Sequence, residues 1–126
     1  MQVKAMEGSS EFDLKAALAE LVGRDLTSVE FVLDYIQLHF EKPCLTALTL
    51  PSVRGAGWEV KFGDPGYRDR LCEQIGVSVE AVDATEVEAV LRFANGNAIV
   101  ISLRNEDYRG PEAINFTNGE GSWWVV

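Results

Sequence analysis

Histidine is almost missing from this 126-residue chain, where His39 stands alone. A zinc site built on several histidines is thereby excluded, and the two cysteines, Cys44 and Cys72, cannot complete four ligands with it unless a carboxylate joins them. Both cysteines are expected to be reduced packing residues, Cys72 on a buried helix face, with a disulfide as the alternative. Basic residues are also scarce: 11 Lys and Arg stand against 20 Asp and Glu, for a net charge of -9. Neutralising nucleic-acid phosphates needs concentrated Lys and Arg, so a nucleic-acid partner is not expected. No apolar run approaches the length of about 18 residues that spans a bilayer, and residues 1–10 lack the apolar block of a secretory leader. The expectation is a cytoplasmic protein without a membrane partner. Missing too are a Gly-x-Ser-x-Gly elbow, a glycine loop followed by Lys-Ser or Lys-Thr, and a Gly-x-Gly-x-x-Gly fingerprint. Arg54-Gly55-Ala56-Gly57 comes nearest and reads as a plain turn.

What is present is an ordinary globular composition, 47 % hydrophobic, 25 % charged and 10 % aromatic. A chain of this length buries roughly two-thirds of its unfolded surface and needs neither disulfide nor metal to hold a core. One domain over residues 10–126 is expected, preceded by a loose arm over 1–9.

From Ser10 to Val22, Phe12, Leu14, Ala17, Leu18, Leu21 and Val22 recur at helical spacing, with Ser9 or Ser10 as N-cap and Gly23 at the end. Leu26–Phe40 is ambiguous between one helix and two strands. Its β-branched and aromatic residues alternate as Val29, Phe31, Leu33 and then, one step out of phase, as Ile36, Leu38, Phe40. Two strands with a turn at Asp34-Tyr35 are therefore expected. Leu45–Leu50 is a strand stopped by Pro51, and Trp58, Val60 and Phe62 form a one-sided strand. Asp64 and Pro65 then open a short helix that buries Tyr67, Leu71 and Ile75 and ends at Gly76.

Val87, Ala89, Leu91 and Phe93 alternate against Glu86, Glu88 and Arg92, and the pattern resumes as Ile99, Ile101 and Leu103. A two-residue Asn95-Gly96 loop would place the second apolar set on the wrong face. A three-residue loop Ala94-Asn95-Gly96, with Gly96 left-handed, pairs Leu91 with Ile99 and Ala89 with Ile101 and sets Glu86 opposite Arg104. Two further short strands are expected over Ala113–Phe116 and Trp123–Val126. Together these elements predict an α+β fold: a strongly bent antiparallel sheet or partial barrel of seven to eight short strands, an N-terminal helix and one short internal helix.

From Leu71 to Leu91 there is no Lys or Arg, while Glu73, Glu80, Asp83, Glu86 and Glu88 lie in that run. An outward acidic face of Glu80, Asp83, Glu86 and Glu88 would steer and select a basic partner, against the plainer role of a solubility coat. Of the adjacent Trp123 and Trp124, one must face outward or cover an edge, and Trp124 is the candidate contact residue. No catalytic residue, metal ligand or cofactor site is assigned. His39 and Cys44 are close enough in sequence to imagine a nucleophile pair, yet His39 lies in the apolar stretch Ile36–Phe40, where a sheet-lining histidine is expected.

Gly66-Tyr67-Arg68-Asp69-Arg70-Leu71-Cys72 leading to Ile75-Gly76, then Leu91-Arg92-Phe93-Ala94-Asn95-Gly96, then Gly110-Pro111-Glu112-Ala113 carry a likeness. The chain resembles small bacterial single-domain proteins, some of which look like immunity proteins of polymorphic or contact-dependent toxin systems. The resemblance implies a non-enzymatic binding protein that covers a basic toxin domain. The rival readings are a small-ligand-binding barrel, an enzyme using carboxylates such as Glu106 and Asp107, and a structural or homodimeric module.

Overall fold

The computed structural model describes residues 4–5 and 12–126. Helix α1 covers Phe12–Leu18 and tightens into a 3₁₀ turn over Ala19–Leu21. Leu14, Ala17, Leu18 and Leu21 are buried, as the helical spacing predicts, whereas Val22 lies past the 3₁₀ turn in extended conformation and is exposed. The candidate caps Ser9 and Ser10 lie outside the described residues, as does most of the expected arm. Lys4–Ala5 of that arm forms strand β1.

Leu26–Phe40 resolves into two strands, β2 (Ser28–Val32) and β3 (Tyr35–His39). The turn is Leu33-Asp34, one residue before the expected slip, because Val32 pairs directly with Tyr35. Strand β4 (Cys44–Ala47) continues this antiparallel meander. After β4 the chain changes layers. Pro51 has no N–H to donate to a ladder, and the buried Thr49 spans the crossing by donating its hydroxyl to the Ser102 carbonyl at 2.7 Å.

Strands β5 (Ser52–Gly55) and β6 (Trp58–Val60) follow as a hairpin closed by Ala56-Gly57. Phe62, expected inward, is 61 % exposed, since β6 ends at Val60 and the chain turns away over Lys61–Asp64. Asp64 serves that turn rather than the next helix: its carboxylate accepts the Lys61 N–H at 2.8 Å. Helix α2 (Tyr67–Cys72) starts behind Gly66 without a side-chain cap, buries Tyr67 and Leu71, and leaves Cys72 and Ile75 exposed. With only six residues it ends before Ile75 can join the buried stripe. Both cysteines are free thiols.

Strands β7 (Val79–Ala84), β8 (Glu88–Phe93) and β9 (Ala98–Ser102) complete one layer, and β10 (Ile114–Thr117) with β11 (Trp123–Val125) returns to the other. The result is two antiparallel sheets, in the orders β1-β11-β10-β4-β3-β2 and β6-β5-β9-β8-β7. This corrects the single bent sheet or partial barrel of seven to eight strands: the protein is mostly β, and neither sheet is closed or strongly curled. The extra strands are β1, β5 and β7: the first two are too short to show alternation, and the bulge between Val79 and Ala81 breaks the alternation of the third. Most buried residues of both sheets and both helices nevertheless form one contiguous core, from Phe40, Leu45 and Phe116 in the first layer to Leu91, Phe93 and Ile99 in the second, while Val90, Ala98 and Val100 form a small second cluster.

The β8–β9 hairpin has the expected register, Leu91 opposite Ile99 and Ala89 opposite Ile101, and the Phe93 N–H bonds the Asn97 carbonyl at 2.8 Å across a three-residue loop. The loop is fixed from inside. The fully buried Gln74 accepts a hydrogen bond from the Asn95 amide at 2.9 Å, and the Asn95 side-chain oxygen accepts the Asn97 N–H at 3.0 Å. Gly96 has φ +91° with no neighbouring atom where a side chain would go, so a substitution there tests backbone conformation alone. Gly96→Val is expected to lower the free energy of unfolding by about 1–2 kcal/mol, read from the shift of the urea midpoint at unchanged slope.

Candidate functional site

The four acids of the expected contact face are all carried by the β7–β8 hairpin. Glu80 falls at the irregularity where the register shifts between Val79 and Ala81, and Glu86 lies in the turn between the strands. Asp83 sits opposite Val90, and two residues back along β8 is Glu88, so both belong to the outer side of the sheet. The sequence run without cations does not remain without cations in space. Lys15 of α1 reaches Asp83 at 3.4 Å, and Arg54 of β5 reaches Glu88 at 3.7 Å. Arg104 is not within ion-pair distance of Glu86, and Glu80 and Glu86 are the members with no cation within 4 Å among the described residues. Both are exposed, and being solvated they contribute to the field around the protein rather than to its stability.

The adjacent tryptophans divide between faces. Trp124 is half-buried and stacks on Phe116 with ring centroids 5.7 Å apart, whereas Trp123 is 41 % exposed. The outward aromatic at this edge is therefore Trp123.

His39 and Cys44 are cross-strand neighbours in the β3–β4 pair. The His39 ring nitrogen Nε2 lies 3.1 Å from the Glu30 carboxylate, so thiol, imidazole and carboxylate share the outer side of the first sheet. The electrostatics oppose a nucleophile. Burial pushes the Cys44 thiol above its ordinary pKa and the Glu30 charge adds to the rise, while a hydrogen bond with Thr46 offsets only part of it. An activated cysteine needs the opposite shift. Iodoacetamide at pH 7.5 is accordingly expected to label the exposed Cys72 first, with Cys44 several-fold slower, as mass spectrometry of the alkylated peptides will read.

Sequence reasoning missed a concavity of about 350 Å³ on the outer side of the second sheet. Val100 of β9 lies in it, buried from solvent, and Ser52, Arg54, Glu88 and Ser102 contribute from β5, β8 and β9. Lys61, just beyond β6, and Arg104 and Arg109, flanking the 3₁₀ turn Asn105–Asp107, bring three further cations. Phe62 and Val87 add exposed apolar surface. Arg54 is occupied, because Glu59 at 3.3 Å and Glu88 at 3.7 Å hold its guanidinium between them. Asp107, one of the two carboxylates of the enzyme reading, accepts the Ser102 hydroxyl at 2.6 Å. Its companion Glu106 is exposed and does not line the concavity. No sequence signal could have grouped Arg54, Lys61, Arg104 and Arg109, for they come from three separate loops and strands and share no spacing.

Comparison with family models, with curated proteins and with solved structures finds no match for this chain.

Proposed function

We propose that the protein is a non-catalytic binding module of the immunity type, which neutralises a basic toxin domain by docking the acidic β7–β8 hairpin on it. The observation that carries this reading is the exposure of Glu80 and Glu86 without cation partners among the described residues, at the bulge and the tip of one hairpin. A charge at the tip, as Glu86 is, reaches a partner before the bulk of the surface does, and complementary charge of that kind raises the association rate more than it raises affinity. Two observations support binding over chemistry: the raised Cys44 thiol beside His39, and the hydrogen-bonded Asp107 apart from Glu106. The resemblance read from Gly66–Gly76, Leu91–Gly96 and Gly110–Ala113 points the same way. A cytoplasmic setting belongs to this proposal, and among the described residues no helix is long and apolar enough to cross a membrane.

The test is co-expression with the product of the gene immediately upstream. The expected outcome is relief of that product's toxicity and a one-to-one complex. With the paired substitution Glu80→Lys and Glu86→Lys, the association rate should fall by about tenfold or more at low salt and the difference should shrink as salt rises. Neither residue is part of the core, so the variant should keep the parent's unfolding midpoint. Unchanged association of a folded double variant would reduce the hairpin to a solubility coat, and absence of any complex would remove the immunity reading.

A further inference from the structure

We propose that the concavity on the outer side of the second sheet is a binding site for a small organic oxyanion, one with a phosphate or carboxylate head and an apolar or planar body. Four of the 11 basic residues of a chain with net charge -9 line this one place: Arg54, Lys61, Arg104 and Arg109. The lining acids are Glu59, Glu88 and Asp107, and each is already engaged, the first two by Arg54 and the third by the Ser102 hydroxyl. Lys61, Arg104 and Arg109 have no carboxylate within 4 Å among the described residues. The lining thus carries four cations against three carboxylates, an excess of one positive charge in a protein whose net charge is -9, and Lys61, Arg104 and Arg109 are the cations left to meet an anion. A solvated lysine or arginine on a convex face needs no partner, but grouped cations repel one another and gain from an anion between them.

The chemistry of the head group follows from the donors. Arginine presents a planar fork of N–H donors that matches two oxygens of a phosphate or carboxylate, and Arg104 and Arg109 bring two such forks from the ends of one short turn. The body follows from the remaining wall. Phe62 is 61 % exposed and Val87 is 38 % exposed beside the partly buried Leu50, an unusual expenditure of apolar surface at a charged site. The volume of about 350 Å³ is at the small end of ligand pockets and suits a metabolite rather than a folded partner. The lining includes neither Glu80 at the bulge nor Glu86 at the tip, although Val87 and Glu88 belong to the same hairpin, and the site stands whether or not the hairpin docks a toxin.

Titration with phenyl phosphate, benzoate and inorganic phosphate, followed by the arginine Nε–Hε and backbone amide signals in ¹⁵N NMR spectra, tests the proposal. Saturable shifts of Arg104, Arg109 and the Phe62 region are expected, with phenyl phosphate or benzoate at least threefold tighter than inorganic phosphate. The tighter of the two organic anions identifies the head group. Arg104→Gln with Arg109→Gln should weaken that binding tenfold or more, and Lys61→Gln alone should weaken it severalfold. Lys42→Gln, an exposed lysine outside the concavity, should leave it unchanged. The arginines and Lys61 are exposed, and the amide spectrum of each variant reports that it is folded. Shifts spread over all exposed basic residues without saturation, or a folded double variant that binds as the parent does, would overturn the site. Equal affinity for inorganic and organic anions would overturn the role given to Phe62 and Val87.

Discussion

Phe116→Ala is expected to lower the free energy of unfolding by about 3–5 kcal/mol, the largest effect of any single truncation considered for this protein. Phe116 is fully buried on β10, a strand with partners on both sides. It stands opposite Leu45 of β4 and opposite Trp124 of β11, and its ring stacks on the Trp124 indole. Removing the ring loses its own transfer free energy and leaves a void that two strands held in register cannot close. The stacked tryptophan also loses its contact, worth about 0.5–1.5 kcal/mol beyond the area buried. Phe62→Ala provides the contrast, since that ring is mostly solvated. Its aromatic contact is edge-to-face with Tyr67, ring centroids 5.8 Å apart, so its loss should cost about 0.5–1.5 kcal/mol. Urea unfolding of both variants reads the difference, and a loss below about 1 kcal/mol for Phe116→Ala would mean that the first sheet repacks freely around β10.

Gly119→Ala should destabilise by about 2–4 kcal/mol, because two independent costs fall on one atom. The backbone there has φ +76°, which a side chain resists, and a Cβ would stand 2.6 Å from the Lys42 carbonyl oxygen. That oxygen belongs to the main chain of the β3–β4 connection and cannot swing aside as a side chain could. Gly96→Ala separates the two costs, since its φ is +91° but nothing lies within 4 Å of its Cβ position. Conformation alone accounts for about 1 kcal/mol, so thermal unfolding should place Gly119→Ala clearly below Gly96→Ala. Equal effects would show that the Lys42 segment yields.

The expected hairpins were those in which alternation, turn chemistry and loop length agree. The β8–β9 pair is the clearest, because only one loop length keeps Leu91, Ile99, Ala89 and Ile101 on the same face. Alternation fixes which residues of a strand point together, but it is silent on which strand lies alongside. The return of β10 to pair with β4 rests on contacts more than sixty residues apart, and nothing local in Ala113–Phe116 announces it. For that reason the sequence pattern predicts one curved sheet where the structure has two layers. Phe62 and Ile75 are exposed against expectation for a related cause: periodicity extends beyond the residue where the backbone leaves its element, and only the turn decides where that is. At the candidate sites, the acids Glu80, Asp83, Glu86 and Glu88 were legible as a run in the chain. Their partners Lys15 and Arg54, and the grouping of Lys61, Arg104 and Arg109, come from tertiary placement and leave no linear pattern.

The interleaved strand order of the first sheet bears on the way the chain is made. All five strands of the second sheet fall between Ser52 and Ser102 and can associate as soon as that stretch has emerged from the ribosome. The other layer has to wait: β2, β3 and β4 are synthesised early, yet β4 keeps an open edge until Ile114–Thr117 arrives to cover it. During that interval the backbone groups of Cys44–Ala47 and the apolar side chains of Leu45 and Ala47 form an unpaired strand edge, the geometry that recruits strands from other chains. At the common translation rate of about 5–20 residues per second the exposure lasts several seconds. Nascent chains stalled before residue 114 are therefore expected to aggregate more readily than the full chain.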